Sequence, residues 1–316
     1  MCQLVSIVAI TPDTASRGRP KASRADLRAS GRRRAMTETT RDDRRRLLLQ
    51  CILRARGAVH EQVLAQCLGA LGGDGGELGT YVTEMNVRLR GLGYQVKRVT
   101  HALGRRYAGE QAGAEGGRFY VYVNVGASRE AELATTFRPA ELEFVKWAIA
   151  QVGTLGPLEA AGEQAGSAAE REVDRVLAAW QGEPCRLPQR ATYAERAKTL
   201  LTYAELASSD IERLLTRLCE LKWFYRTAEG SYGFDLRFLV ELQEYLLENH
   251  MLMPCSTCEH VVAQGVLCTG CVAKRRDEGG CWAAWHVDCF DYQVTHVTPQ
   301  CPSCEADILT AGAYLV

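Results

Sequence analysis

Cys255-Ser-Thr-Cys258, Cys268-Thr-Gly-Cys271, His286-Val-Asp-Cys289 and Cys301-Pro-Ser-Cys304 fall within one stretch, 255–304, near the end of a 316-residue chain. In each pair two ligand-type side chains are separated by two residues, the spacing at which one tight turn aims both at the same ion. The gaps between successive pairs are nine, fourteen and eleven residues. Structural zinc is tetrahedral and four-coordinate, so eight ligands predict two zinc ions. A single pair of this kind is also a redox motif, but no βαβ pattern surrounds any of the four. The total of 13 cysteines is odd and fits a closed disulfide set poorly, which points to metal ligands in a reducing compartment. The segment holds few large apolar side chains, so it is expected to be unfolded without zinc. Cys281, His260 and His296 lie outside the paired spacing and read as a packed thiol and two surface imidazoles. Lys274, Arg275 and Arg276 follow Cys271 directly, where they either offset the charge of the thiolate sites or form an exposed docking loop.

Working outward, the chain ahead of this segment repeats one order of elements. From Asp43 the pattern is helical, with Leu47, Leu48, Cys51 and Ile52 on one face, then Val63, Leu64, Cys67 and Leu68 on the next, and a third helix over 81–92. Two runs rich in β-branched and aromatic residues follow, Tyr94 to Val99 and Phe119 to Val125, joined by a glycine-rich stretch over 104–117. Three helices and a hairpin are the order of a winged helix-turn-helix. The order recurs with a helix over 141–152, a Gly/Ala/Glu-rich stretch over 153–169 read as flexible, and helices near Val173 and Tyr193. Ser209-Asp-Ile-Glu212 reads as a capping box opening a helix, and the hairpin Trp223 to Phe234 and a helix over 236–247 close the unit.

The expected fold is therefore α+β: two tandem winged-helix domains followed by a small two-zinc domain. Its parts are 1–43, a disordered basic arm or sequence upstream of a later start at Met36; 44–126, the first winged helix; 127–250, the second, with an insertion at 153–200; 251–306, the zinc domain; and 307–316, a tail. The apolar run Gln3 to Ile10 has the length of a short signal-peptide core, but no positive charge precedes it.

Lys+Arg and Asp+Glu both number 38, which excludes a protein that coats nucleic acid along its whole surface. No apolar run approaches the length of a membrane span, so no membrane partner is expected. The balance is uneven, however: segment 44–126 carries +6 and segment 127–250 carries −6. A weak DNA contact is thus expected of residues 44–126, through Arg88, Arg90, Lys97, Arg98, Arg105 and Arg106, and none of the second unit alone.

The ligand order of four Cys, one His and three Cys resembles the RING-variant and PHD families. Pro299 stands where PHD fingers usually carry Trp, and Pro302 follows the seventh ligand as RING domains favour. With two winged helices ahead of it, the chain resembles the non-SMC element one family of the SMC five/six genome-maintenance complex. The stretches that carry this are Arg44-Arg-Arg-Leu-Leu-Leu, Tyr122-Val-Asn-Val-Gly-Ala, Ala134-Thr-Thr-Phe with Glu141-Leu-Glu-Phe-Val-Lys-Trp-Ala-Ile, Lys222-Trp-Phe and Gln264-Gly-Val-Leu-Cys-Thr-Gly-Cys. The resemblance implies a RING-like cross-brace, with Cys255, Cys258, His286 and Cys289 on the first zinc and Cys268, Cys271, Cys301 and Cys304 on the second.

It further implies a ubiquitin-ligase subunit acting in DNA repair and recombination in the nucleus, with MAGE-type and kleisin-type subunits and a ubiquitin-conjugating enzyme as partners. Such a ligase acts by positioning, so no catalytic residue is expected on this chain. Ser256 and Thr257 stand where RING ligases often place an aliphatic residue, and Glu305 where they often place Arg. Trp285, Phe290 and Pro302 are the candidates for an apolar contact patch, with core packing the alternative use of the two aromatics.

Overall fold

A computed structural model describes residues 40–102, 117–125, 137–161, 168–181, 187–227, 229–250, 252–270 and 283–316. All belong to the compact unit Thr40–Val316, and the expected basic arm over 1–39 lies outside the described residues. No helix among the described residues is long and apolar enough to cross a membrane.

The first part runs α1 (Arg41–Arg54), β1 (Ala58–His60), α2 (Glu61–Ala70), α3 (Leu78–Leu89), β2 (Tyr94–Thr100) and β3 (Arg118–Asn124). Helix α1 starts two residues before the point expected from periodicity because Thr40 and Asp43 cap each other: each side chain accepts the other's backbone N–H, at 3.2 and 3.3 Å. The three strands form an antiparallel sheet in the order β1-β3-β2. Strand β1 was not foreseen, since three residues are too few to show a period of two. Asn86 fastens α3 to the sheet, donating to the Val96 carbonyl at 2.9 Å and accepting the Val96 N–H at 2.7 Å. Leu48, Ile52, Leu64, Leu68, Tyr81 and Met85 close a core of their own.

The second part repeats the pattern. Helix α4 (Pro139–Val152) opens with proline at its first position and the Glu141 carboxylate accepting the Arg138 N–H at 2.9 Å. Then come β6 (Ala194–Arg196), α6 (Ala197–Leu200), α7 (Ser208–Glu220), β7 (Phe224–Arg226) and β8 (Ser231–Phe234), with strand order β6-β8-β7, the counterpart of β1-β3-β2. Helices α8 (Leu236–Glu241) and α9 (Gln243–Asn249) follow. The expected capping box at Ser209 is not used: α7 starts at Ser208 from Ala207, with no side-chain cap. Arg237 joins the two parts, its guanidinium donating to the Arg56 carbonyl at 3.1 Å and to Glu241 at 3.2 Å.

Three expectations are corrected by the segment between α4 and β6 and by the end of the chain. The stretch read as a flexible insertion contains β4 (Glu159–Ala160), and residues near Tyr193, read as helix, form β5 (Gln189–Ala191) and β6. The residues 307–316 read as a tail form α11 (Ile308–Ala311) and β13 (Gly312–Leu315), every residue of that strand buried. These pieces meet strands of the zinc-ligand segment, β11 (Gly265–Cys268) and β12 (Ala284–Trp285), in a five-stranded sheet ordered β12-β11-β13-β5-β4. Strand β13 runs antiparallel to β11 and parallel to β5.

Helix α5 (Ala168–Gln181) packs on this sheet with Val173 and Leu177 fully buried, and the Tyr314 hydroxyl bonds the Asp174 carboxylate. The periodicity could not show this because a parallel pairing across more than a hundred residues leaves no local signature. One apolar core consequently spans residues 137–315, with Val266, Leu267, Trp285, Phe290 and Leu315 beside Phe144, Leu215 and Phe238. The zinc-ligand segment thus shares a core with the chain outside it, a contribution that the apolar count within the segment did not include.

Replacing Leu315, fully buried in β13, by Ala is expected to lower stability by about 2–5 kcal/mol, the range for a buried leucine. A shift of the urea unfolding midpoint measures this; a midpoint within error of the parent would mean that the last strand is a tail after all.

Candidate metal centre

Strand pairing sets the ligands. Cys255 directly follows the short strand β9 (Met253–Pro254), which pairs with β10 (Val261–Val262), and forms an isolated bridge to Ala284 of β12. Between the two strands lies a tight turn in which the Cys255 N–H donates to the His260 carbonyl at 2.8 Å and the Glu259 N–H to the Cys255 carbonyl at 2.9 Å. The turn is closed by Glu259 in the left-handed region, φ 62°. The same turn is built again at Cys301: its N–H donates to the Ala306 carbonyl at 2.8 Å, the Glu305 N–H to the Cys301 carbonyl at 2.9 Å, and Glu305 has φ 62°. Turns of this form hold the two sulfurs of a C-x-x-C pair on one side.

The first turn faces His286 and Cys289, which start helix α10 (Val287–Tyr292) directly after β12. One ligand atom from each of Cys255, Cys258, His286 and Cys289 lies within 4.8 Å of the others. Cys258 Sγ is 3.4 Å from His286 Nδ1. The far ring nitrogen, Nε2, lies 3.0 Å from the Val261 carbonyl, so a proton there leaves Nδ1 free to ligate. The second turn faces the end of β11: Cys268, Cys301 and Cys304 cluster within the same distance, with Cys268 Sγ 3.5 Å from Cys304 Sγ. Cys271, the expected fourth ligand, lies outside the described residues, as do Cys281, Lys274, Arg275 and Arg276. Gly270, two residues after Cys268, is closely packed, since a Cβ would stand 3.1 Å from both Cys304 Sγ and Ala306 Cβ and one of them would have to give by a few tenths of an ångström.

The donor chemistry fits zinc. Bonds of about 2.3 Å to sulfur and about 2.0 Å to nitrogen give a tetrahedron with edges of roughly 3.5–3.8 Å, and the contacts of 3.4 and 3.5 Å come within a few tenths of an ångström of those edges. Electrostatics agree. Hydrogen bonds from Cys255 and Cys289 hold the Cys258 thiol far below its ordinary range, while those of Cys255 and Cys258 push Cys289 far up. Burial works against a charged His286, yet its hydrogen bonds with Cys255 and Cys258 raise it to about 10. Without an ion the thiolates thus hold a proton on His286; ligation needs that ring neutral and the thiols deprotonated, so metal binding is expected to release protons.

The two clusters sit at opposite ends of β11. Cys268 terminates that strand, whereas His286 follows Trp285, whose partner is Val266. At a rise of about 3.4 Å per residue the ends lie on the order of 10 Å apart, too far for one ion. Gly265 makes the close approach possible: at φ 146°, a Cβ would collide with the Trp285 carbonyl at 1.9 Å.

Among the other expected candidates, His260 and His296 join neither cluster; His260 is exposed, and His296 lies against the Tyr292 ring at 5.3 Å. Trp285 and Phe290 are fully buried and Pro302 is exposed, as are Ser256 and Thr257. On the surface expected to meet DNA, Arg88 pairs with Asp42 at 3.1 Å and Arg98 with Glu61 at 2.8 Å; Arg105 and Arg106 lie outside the described residues.

Comparisons with known proteins agree with this geometry. The family model described as the Nse1 non-SMC component of the SMC5-6 complex matches residues 45–242, and a RING-like domain model matches residues 255–304. Non-structural maintenance of chromosomes element 1 of Saccharomyces cerevisiae is 36% identical over 324 residues, covering 88% of this chain and 96% of that protein. A solved structure of an Nse1-Nse3-Nse4 complex contains a chain similar in fold, with a TM-score of 0.53 and 15% identity over 83% of this chain and 94% of that one.

Exchanging Cys258 for Ser is expected to lower bound zinc by one equivalent, and exchanging Cys304 by another, measured by elemental analysis of purified protein. Identical metal content in both variants and the parent would remove the assignment. At Glu305, which already bears the left-handed penalty of an L-residue, Gly is expected to be tolerated or stabilising, while Val is expected to lower the midpoint in a chelator-free unfolding assay, because a β-branched residue is an outlier in that region.

Proposed function

This chain belongs to the Nse1 family, the non-SMC component of the SMC5-6 complex, and we propose that within it the chain is a RING-type ubiquitin-protein ligase subunit acting in DNA repair and recombination in the nucleus. The observation that carries the reading is the interleaving of the ligands. The first turn shares a cluster with the third pair, and Cys268 of the second pair shares one with the fourth.

In this reading Cys255, Cys258, His286 and Cys289 hold one zinc ion, and Cys268, Cys271, Cys301 and Cys304 hold the other. The ions supply cross-links and no chemistry on a substrate. The chain's own contribution is a rigid platform that presents a ubiquitin-charged conjugating enzyme to a substrate lysine, which is catalysis by orientation. The two repeated parts, 44–126 and 127–250, are read as winged helices, on the strength of the shared strand orders β1-β3-β2 and β6-β8-β7. They are the docking bodies for a MAGE-type partner corresponding to Nse3 and a kleisin-type partner corresponding to Nse4, the companions named for the similar structure.

One observation favours a second reading, a zinc-domain adaptor without ligase activity. Trp285 and Phe290 are spent in the core, leaving Pro302 with the polar Ser256 and Thr257 as the exposed members of the expected contact face. A face so polar offers few of the apolar anchors that dominate binding energy.

Autoubiquitination with a panel of conjugating enzymes, with and without the MAGE-type partner, separates the two. The ligase reading expects lysine-linked products that disappear in the Cys258→Ser variant; silence across the panel with partner present supports the adaptor.

A further inference from the structure

Two thiols outside the metal centre face each other in the first part of the chain. Cys51 lies in the last turn of α1 and Cys67 in the last turn of α2, and the Cys51 S–H donates to Cys67 Sγ at 3.8 Å. Their helical neighbours Leu48, Ile52, Leu64 and Leu68 are fully buried, and the two cysteines pack half-buried against the rim of that core, open to small solutes. Among the described residues no third histidine, cysteine or carboxylate joins them, so the pair lacks the donor set that marks the two metal clusters. What remains open to it is chemistry between two sulfurs. A disulfide bond is about 2.05 Å long, so the sulfurs have roughly 1.7 Å to close, a distance that rotation of the two side chains can share.

We propose that Cys51 and Cys67 are a reversible thiol switch, closed by a hydroperoxide into a disulfide that clamps α1 to α2. The S–H contact assigns the roles. Burial and the neighbouring sulfur push the Cys51 thiol up to about 11, so Cys51 keeps its proton and donates it, while Cys67 accepts that bond and is the sulfur that attacks. Cys67 as thiolate takes the terminal oxygen of the hydroperoxide: an S–O bond forms, the O–O bond breaks, and the departing alkoxide or hydroxide takes up the proton that Cys67 released. Cys51 then attacks the Cys67 sulfenic acid; the S–S bond forms, the S–O bond breaks, and the hydroxyl leaves as water with the Cys51 proton. Two thiols have lost two electrons and two protons to one hydroperoxide. Two molecules of a small thiol such as glutathione reverse the change and leave as one disulfide. In the reducing compartment that the cysteine usage points to, the open pair is the resting form. The bridge encloses residues 52–66, which restricts the unfolded chain and holds the first core together. The proposal rests neither on ligase activity nor on a partner subunit.

The test titrates hydrogen peroxide into the zinc-loaded full chain, followed by alkylation, proteolysis and mass spectrometry, with bound zinc measured on the same samples. The expected result is a peptide pair linked through Cys51 and Cys67 at peroxide levels that leave the zinc content unchanged. The thermal midpoint is expected to rise by about 3–8 °C on bridging and to return on addition of glutathione. Cys51→Ser and Cys67→Ser, each checked for its fold by unfolding before treatment, are expected to show no rise. The switch is overturned if both thiols are still fully alkylated when zinc begins to be released, or if either is found linked to a different cysteine instead. A bridge that leaves the midpoint unchanged would overturn the clamp.

Discussion

The parallel pairing of Gly312–Leu315 with Gln189–Ala191 is the contact on which the remaining geometry depends. On its other side the same strand pairs with Gly265–Cys268 over four residues, so its buried backbone is hydrogen-bonded along both edges. Through it the segment with the metal ligands is continuous with the sheet and core of the second repeated part. Neither ligand cluster is positioned by its own turn alone. Cys268 is the last residue of β11 and donates its N–H to the Ala283 carbonyl, and β12 leads directly into His286. A displacement of β13 would therefore reach both clusters.

This division of labour bears on what the metal does. A 50-residue segment held by zinc alone would owe its fold to the ions. Here the sheet and helix α5 supply a core, and the ions are left to fix the two turns and the start of α10. The unfolded state of the segment is thus a question of two coupled contributions. Counting the apolar side chains inside the segment predicts unfolding without zinc, and the structure adds to that count the apolar side chains offered from outside it.

What could be read from the sequence divides along physical lines. The ligand pairs were legible because a two-residue gap has a local geometric meaning, and the first cluster is assembled from the residues that gap selects. Helices α1, α4 and α7 were legible from spacing, and strands β2 and β3 from composition. What stayed hidden is either too short or too distant: β1, β4, β5 and β6 have two or three residues each, and β13 finds its partner more than a hundred residues away. Polar local signals also misled where a competing interaction won. Ser209 and Glu212 match a capping box, but α7 begins one residue earlier, with Asp210 and Ile211 donating to the Ala207 carbonyl. The two turn-closing residues Glu259 and Glu305 carried no sign of their left-handed backbone, since glycine is the residue that normally announces it.

Charge shows the same contrast between sum and placement. Segment totals of +6 and −6 describe the field far from the surface, where each part acts as a unit. At contact distance only unmatched groups count, because a guanidinium already bound to a carboxylate must give up that partner to meet a phosphate. Glu84 engages Arg41 and Arg45 together, and Arg41 holds its carboxyl below the usual range. The acids are few in the basic part, yet Asp42, Glu61 and Glu84 each sit against an arginine. In the acidic part the carboxylates are many, but the tip of the second sheet escapes them except for Glu229.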